Sequence, residues 1–243
     1  MDQLLVALDV DTKVRALQLS ADLRGTAGGF KIGSRLFTAV GPSVVETLVS
    51  RGDRVFLDLK FHDIPSTVAA AVQAASDLGV WMLTVHAAGG KEMLEAAREV
   101  ARGTPQGPMI VAVTVLTSLD TDALGDVGIN RSVPNQVNAL AQLAKTAGLD
   151  GVVASAWETA QIRKNCGRQF TIVTPGIRSA REPTQAVRSS TERDDQIRTL
   201  SASQAIQLGA NYIVVGRPII AAEDPKSAAE KICRELMRQP IEP

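Results

Sequence analysis

Eight short apolar runs alternate with segments of helical spacing along the chain, and this alternation restricts the possible folds more than any other feature of the sequence. Continuous apolar runs of this length are typical of parallel strands that helices cover on both faces. The runs span residues 4–8, 28–33, 55–57, 81–85, 109–115, 151–154, 170–173 and 212–215. Eight of them predict a closed (β/α)8 barrel, a TIM barrel, as one domain over residues 1–243, rather than an open doubly wound sheet.

Helical patterns separate the runs, and turn residues mark several of their ends. Asp11 and Thr12 offer a helix cap, while Gly79, Gly148 and Gly209 stop helical patterns. The segment 36–49 is predicted as one helix even though it contains Gly41-Pro42. The predicted helices span residues 14–23, 36–49, 66–78, 92–101, 134–147, 156–165, 203–208 and 225–237.

Composition excludes several classes of function. Lysine and arginine together number 26, as do aspartate and glutamate, and aromatic residues make up 3% of the chain, so nucleic acid is not an expected partner. No apolar stretch approaches the roughly 20 residues that span a bilayer, and the amino-terminal run lacks a basic leader. The sequence therefore predicts a cytoplasmic protein with no membrane partner. Two distant cysteines and two histidines do not form a metal-binding pattern.

Acidic and basic residues are concentrated directly after the third apolar run, at Asp58, Lys60 and Asp63. On an extended strand end, Asp58 and Lys60 would project to the same side. Carboxylates on both sides favour the charged form of a lysine, which could then give a proton to a developing carbanion. A surface cluster of ion pairs explains the same pattern equally well when the stretch is considered alone.

The other strand ends favour an active site over scattered ion pairs. In a barrel, the carboxyl ends of all strands surround one mouth, where catalytic residues of this fold lie. Asp9 alone could be a helix cap and Lys31 alone a lysine at the barrel edge, but their coincidence with the other charges favours a common role. The polar residues expected at this mouth are Asp9, Lys31, Asp58, Lys60, Asp63, His86, Thr117, Arg178 and Arg217.

A phosphate site is predicted on the far side of the mouth. Gly216 and Arg217 follow the eighth run, and the loops after the last two strands are the usual phosphate site of this fold. A glycine lets the backbone approach an anion and an arginine can bind it through two hydrogen bonds, although a simple turn with an exposed arginine also fits. The segment 176–200 has no apolar period, which predicts a mobile loop that grips the phosphate with Arg178 and Gln196.

These residues carry a resemblance to a known family. The run Asp58-Leu-Lys60-Phe-His-Asp63-Ile-Pro, with Thr67 following, resembles the signature of orotidine 5′-phosphate decarboxylases of the bacterial type. Four further stretches are similar to family motifs, in order from the first strand to the last. They are Ala7-Leu-Asp9, Phe30-Lys31-Ile-Gly33, Thr174-Pro-Gly-Ile-Arg178 and Val215-Gly-Arg217-Pro-Ile219.

The resemblance implies an activity, an assembly and a set of site residues. Members form homodimers of (β/α)8 barrels and convert orotidine 5′-phosphate to uridine 5′-phosphate, the last step of de novo pyrimidine biosynthesis, without a metal or an organic cofactor. By motif, Lys60 protonates C6, Asp58 lies beside the substrate carboxylate, Lys31 holds the charged groups, and Asp63 serves the neighbouring subunit's site. The implied substrate-binding set is Asp9, Lys31, Ile64, Thr67, Thr117, Pro175, Arg178, Gln196, Gly216 and Arg217.

One segment departs from the family pattern. Similar family members often carry a glycine-containing stretch that ends in Gly-Asp-Gln-Arg-Arg, whereas residues 192–198 read Glu-Arg-Asp-Asp-Gln-Ile-Arg here. The order Asp195-Gln196 is retained, and the assignment of Gln196 to the phosphate rests on it.

Three other functions stay open from the sequence. Relatives such as keto-gulonate 6-phosphate decarboxylase and hexulose 6-phosphate synthase share Asp-x-Lys-x-x-Asp but need a divalent metal. The continuation His62-Asp63-Ile-Pro65 and the loop after the seventh run fit the pyrimidine enzyme better. A noncatalytic sensor of nucleotide phosphate would need the phosphate site but not the acidic and basic residues. A purely structural oligomeric barrel would leave those charges unexplained.

Overall fold

A computed structural model describes residues 2–177 and 200–237, and its centre is a closed barrel of eight parallel strands. Each strand pairs with the next, and β8 returns to pair with β1 through Leu4–Ile213, Leu5–Val214 and Val6–Val215. The predicted (β/α)8 barrel is confirmed. The strands are β1 Leu4–Ala7, β2 Gly29–Gly33, β3 Val55–Phe61, β4 Met82–His86, β5 Met109–Val113, β6 Gly151–Val153, β7 Thr171–Thr174 and β8 Tyr212–Val215.

Helices follow the strands and form the outer layer of the barrel. Across the described part of the chain, no helix is both long and apolar enough to cross a membrane. A short 3-10 turn, Ala87–Gly89, separates β4 from its helix. The described helices are α1 Lys13–Leu23, α2 Ser34–Val40, α3 Ser43–Ser50, α4 Pro65–Asp77, α5 Gly90–Gly103, α6 Thr121–Asp126, α7 Val133–Thr146, α8 Ala156–Cys166, α9 Ala202–Gln207, α10 Arg217–Ile220 and α11 Pro225–Met237.

The helix predicted over 36–49 was wrong as a single element. The chain breaks between α2 and α3 at Gly41, whose φ of 69° lies in the left-handed region that favours glycine. The Gly41 N–H closes α2 by donating to the Phe37 carbonyl at 2.8 Å, and Pro42 then disfavours helical geometry in the residue before it. Two short helices, α6 and α10, were not predicted, because each is too short to show a helical period.

Buried apolar side chains form two clusters, one between strands and helices and a smaller one inside the barrel. Side chains alternate along a strand, so every second residue of each strand faces the barrel axis. The barrel-interior cluster comprises Leu5, Ala7, Phe56, Met82, Val111, Val173 and Val214. It closes the barrel below the mouth, so the space for a ligand lies above it, at the carboxyl ends of the strands.

The pairing of β3 with β4 contains an irregularity that matters for the site. Leu57 pairs with Leu83, and the next paired residues are Phe61 and Val85. Four residue steps on β3 thus oppose two on β4, which defines a bulge that contains Asp58 and Lys60. β3 therefore runs four residues beyond the predicted end at residue 57.

Candidate active site

The bulge of β3 brings Asp58 and Lys60 together at the mouth of the barrel. Lys60 Nζ donates to Asp58 Oδ1 at 2.9 Å. Thr84 of β4 connects both residues, because its hydroxyl donates to Asp58 Oδ1 at 3.1 Å and accepts the Lys60 backbone N–H at 2.8 Å. Lys60 has a φ of 54°, a left-handed conformation that is uncommon for a residue other than glycine. The predicted proximity of Asp58 and Lys60 is confirmed, and Thr84 is what joins them to β4.

Lys31 and Asp9 extend this pair across two more strands. Lys31 Nζ lies 3.2 Å from Asp9 Oδ1 and 3.5 Å from Asp58 Oδ2. The order around the mouth is Asp9, Lys31, Asp58, Lys60, and we call these four residues the charged array. The inner members are more shielded, since the side chains of Lys31 and Asp58 are 12% and 13% exposed while those of Asp9 and Lys60 are 44% and 38% exposed. Partial burial strengthens attraction between neighbouring charges.

Two glycines leave room for the charged array. A Cβ on Gly33, the last residue of β2, would lie 2.9 Å from Lys31 Nζ and 3.4 Å from an Asp9 carboxylate oxygen. A Cβ on Gly216 would lie 3.6 Å from the other Asp9 oxygen and 3.4 Å from the Ala7 Cβ. Any larger residue at Gly33 would therefore displace the Lys31 ammonium. Gly216 lies close to the Asp9 end of the array.

Asp63 and its neighbours lie apart from the charged array. The Asp63 carboxylate accepts the N–H of Ile64 at 2.7 Å, and no ion pair among the described residues includes Asp63. Ile64 is 64% exposed. α4 begins at Pro65, which suits the first position of a helix, and Thr67 is exposed on its first turn. Asp63, Ile64 and Thr67 thus form an exposed edge beside the mouth.

The predicted phosphate residues come from the neighbouring ends of β7 and β8. Thr174 pairs with Ile213, so Pro175 and Gly216 follow adjacent strands. Gly216 adopts φ −112° and ψ −102° just before α10, whose first residue, Arg217, is exposed. Backbone N–H groups at such a turn are suited to an anion, and an exposed guanidinium adds charge and two parallel donors.

Of the three other predicted residues, one lies in the described part of the chain. Thr117 is half-buried in the turn after β5. Arg178 and Gln196 lie outside the described residues, as does most of the predicted loop 176–200. Ile177 and Leu200, which flank the undescribed segment, pair as an isolated parallel bridge.

Sequence reasoning missed two features of the site. Thr84 lies within an apolar strand, and only its alternation with His86 along β4 would have indicated that it faces the mouth. His86 was expected at the mouth without a role. Its ring stacks on that of His62 with centroids 5.1 Å apart. Burial lowers the pKa of His86, and the positive charges of His62 and Lys60 lower it further.

The charged array has the groups for acid-base and electrostatic catalysis. Lys60 offers an ammonium proton at an accessible position, and Asp58 offers a fixed anion beside it. Among the described residues, no group of three or more histidine, cysteine, aspartate or glutamate side chains could hold a metal ion. Lys31 lies between the carboxylates of Asp9 and Asp58, so an ammonium takes the position between these two anions.

Comparison with known protein families gives one match over nearly the whole chain. The sequence model of the family described as orotidine 5′-phosphate decarboxylase / HUMPS matches residues 2–232. Orotidine 5′-phosphate decarboxylase of Moorella thermoacetica is 50% identical over 241 residues, which cover 97% of this chain and 92% of that protein. The enzyme of the same name from Saccharophagus degradans is 48% identical over 236 residues, which cover 97% and 95%.

Solved structures give the same result. The crystal structure of orotidine 5′-phosphate decarboxylase from Lactobacillus acidophilus has a TM-score of 0.82 and 36% identity, with 97% of this chain and 99% of that chain covered. An uncharacterized conserved protein from Geobacillus kaustophilus has a TM-score of 0.80 and 37% identity, with 96% and 99% covered. Both likenesses extend over nearly the whole of each chain.

Proposed function

The chain belongs to the orotidine 5′-phosphate decarboxylase / HUMPS family, and from this premise we propose that it converts orotidine 5′-phosphate to uridine 5′-phosphate and carbon dioxide. The reaction is the last step of de novo pyrimidine biosynthesis. The charged array is the observation that carries the proposal, because it holds a proton donor and an anion 2.9 Å apart above a closed apolar floor.

Electrostatics supply the chemistry in this mechanism. The bond between C6 and the carboxylate breaks, carbon dioxide leaves, and the electron pair remains on C6. Lys60 then transfers an Nζ proton to C6 and becomes a neutral amine until solvent returns the proton. Since the negative charge at C6 grows as the bond breaks, the Lys60 ammonium stabilises the transition state more than the ground state.

Asp58 acts on the substrate carboxylate in this mechanism. Its side chain is 13% exposed and accepts from both Lys60 and Thr84, so its position is fixed before the substrate binds. A substrate carboxylate placed beside it is repelled, and the repulsion ends when neutral carbon dioxide departs. Lys31 keeps Asp58 and Asp9 in place through contacts of 3.5 and 3.2 Å.

The remaining residues bind the rest of the nucleotide in this proposal. Asp9 is half-exposed at the end of the charged array and is suited to ribose hydroxyl groups. Thr67 and Ile64, on the exposed edge, are assigned to the substrate as well. Thr117 lies beside the pyrimidine. The phosphate binds to Arg217 and to the backbone at Pro175 and Gly216, and segment 176–200 contributes Arg178 and Gln196 from outside the described residues.

The proposal includes the assembly and the absence of a cofactor. We assign the protein as a cytoplasmic homodimer in which Asp63 reaches the neighbouring subunit's site. The Asp63 carboxylate is exposed, and among the described residues its one hydrogen bond is with the Ile64 N–H beside it, which supports this assignment. No metal or organic cofactor takes part, because Lys60 and Asp58 supply the proton and the charges that the reaction needs.

Ultraviolet absorbance of orotidine 5′-phosphate, mixed with the purified protein and excess EDTA, tests the proposal. A steady change that matches conversion to uridine 5′-phosphate is the expected result. No change with folded protein would contradict it. Activity on a sugar phosphate that appears only when Mg²⁺ is restored would instead favour the metal-dependent relatives.

A further inference from the structure

The two histidines of the 243-residue chain lie against each other at the mouth. Their rings are nearly parallel, with an interplanar angle of 15° and centroids 5.1 Å apart. His62 follows the last residue of β3 and is exposed, while His86 is the last residue of β4 and is half-buried. We call this pair the imidazole stack. It joins the same two strands whose pairing is interrupted by the bulge.

The bulge has a fixed point on each side of Lys60. On the inner side, the Lys60 N–H donates to Thr84 Oγ1 at 2.8 Å. On the outer side, pairing resumes between Phe61 and Val85, and the imidazole stack lies one residue beyond this pair. A residue with a left-handed backbone, such as Lys60 with its φ of 54°, keeps that conformation only where the surroundings hold it. The imidazole stack is a side-chain contact on this outer side.

The surroundings of His86 favour its uncharged form. Its Nδ1 accepts the Ala88 N–H at 3.3 Å, so a proton at Nδ1 would break this bond. Burial lowers its pKa, and the charges of Lys60 on β3 and of His62 just after β3 lower it further. On the other side, β5 presents apolar Val113 as the residue paired with His86.

The charged residues nearest along the chain do not offset these effects. On α5, which follows the 3-10 turn, Lys91 lies 3.4 Å from Glu95, one helical turn away. On β3, the Asp58 carboxylate is already paired with Lys60 and Lys31. Asp63, next to His62, accepts the Ile64 N–H, and no ion pair among the described residues joins it to either histidine. A proton on His86 would therefore add a cation beside Lys60 and His62.

We propose that His62 and His86 are positioning residues for Lys60, and that the imidazole stack holds the bulge in its catalytic geometry only while His86 is uncharged. Protonated His86 would repel the Lys60 ammonium. This repulsion would release the outer side of the bulge. Activity would then fall on the acid side as the pH passes through the pKa of His86, which lies below the ordinary histidine value of about 6.5. The catalytic part of this inference rests on the proposed function.

The first test needs no turnover. Proton NMR of the free protein resolves two histidine Cε1–H signals, which the variant His62→Phe assigns. We expect the His86 signal to titrate with a midpoint below the ordinary histidine pKa. The chemical shift of the Lys60 backbone amide should change with the same midpoint. In His62→Phe, one cause of the lowered pKa is removed while an aromatic ring remains, so both midpoints should move together to higher pH. A Lys60 amide whose chemical shift does not change at the His86 midpoint would overturn the proposal.

The second test compares two replacements of the exposed His62. His62→Ala removes the stack and should lower kcat about tenfold with little change in KM, because Lys60 is displaced while the binding residues are not. His62→Phe keeps a ring on His86 and should retain most of the activity at pH 8. Its acid limb should lie at higher pH than that of the wild type. Equal kcat values and equal acid limbs in all three proteins would refute a positioning role.

The two tests separate this inference from the proposed function. A wild-type protein without decarboxylase activity would contradict the proposed function, while the NMR titration would still decide whether the imidazole stack controls Lys60. His86→Phe adds a further kinetic check, since the acid limb assigned to His86 should disappear in a folded variant. An unchanged acid limb in His86→Phe would contradict the assignment.

Discussion

The two ends of the barrel hold their cations in different ways. At the mouth, the ammonium groups of Lys31 and Lys60 lie 2.9 to 3.5 Å from carboxylates and are partly exposed. At the opposite end, the Arg54 guanidinium lies 4.9 Å over the Trp81 ring, and its Nε donates to the Gly28 carbonyl at 2.7 Å. Trp81 also meets Tyr212 edge to face, with centroids 5.2 Å apart.

The difference separates a surface built for stability from one built for chemistry. Trp81 and Tyr212 pack against the barrel-interior cluster. The Arg54 charge is satisfied by the Trp81 ring face, the Gly28 carbonyl and Asp2. At the mouth, in contrast, like charges are separated by a single opposite charge and the backbone of Lys60 is left-handed. Such an arrangement is typical of a functional site, whereas the amino-terminal end of the barrel serves stability.

Replacement of Lys60 gives the largest effect at the mouth. Lys60→Ala should lower kcat/KM by about 10⁴-fold or more, because the proposed mechanism then loses both its proton donor and the charge that stabilises C6. The ultraviolet assay measures the loss, and calorimetry should show that uridine 5′-phosphate still binds. Lys226→Ala, at an exposed position on α11, is the matched control. Residual activity within about tenfold of wild type would contradict the role of Lys60 as donor.

Arg217→Ala tests whether the predicted phosphate site contributes to turnover as well as to substrate binding. Loss of the guanidinium should reduce kcat/KM about 10²-fold, with kcat and KM both affected, because phosphate binding energy also stabilises the transition state. Steady-state kinetics separate the two constants. Arg234→Ala removes a comparable exposed charge, one that pairs with Glu230 on the outer helix α11. A normal kcat with only a raised KM would restrict Arg217 to ground-state binding.

Trp81→Ala should show the opposite profile at the other end of the barrel. It removes an aromatic side chain that packs against the barrel-interior cluster and leaves Arg54 without its ring, so the free energy of unfolding should fall by about 2–4 kcal/mol. In the folded fraction, kcat/KM should stay close to the wild-type value. Urea denaturation gives the stability, and Trp157→Ala, at a position that is 61% exposed, should change it little. A large loss of kcat in Trp81→Ala would contradict the view that this end of the barrel serves stability and only the mouth serves the reaction.

The architecture and most of the charged residues at the mouth were predictable from the sequence. The eight apolar runs identified every strand. Asp9 and Asp58 were recognisable because each follows an apolar run, and Lys31 because it is a charged residue within one. Asp58 and Lys60 were expected on one side of a regular strand, and they are indeed paired. The motifs of the resemblance then supplied the activity, which spacing alone left open.

The bulge and its contacts were not predictable, because they depend on pairing between strands. Lys60 gives no local signal of a left-handed backbone, since glycine is the residue that usually adopts it. Thr84 looks like an ordinary strand residue until the register with β3 brings its hydroxyl to Asp58. The same holds for His62 and His86, which are 24 positions apart in sequence and stack only because the pairing resumes at Phe61 and Val85.

The alternation of charge in the array constrains how this site could have changed over evolutionary time. Loss of Lys31 alone would leave Asp9 and Asp58 facing a position with no cation, and loss of Asp58 alone would leave Lys31 and Lys60 as neighbours of like charge. Each single loss would therefore leave an unbalanced charge at the mouth in addition to removing a residue of the proposed mechanism. Single replacements at these four positions are expected to be disfavoured among active sequences.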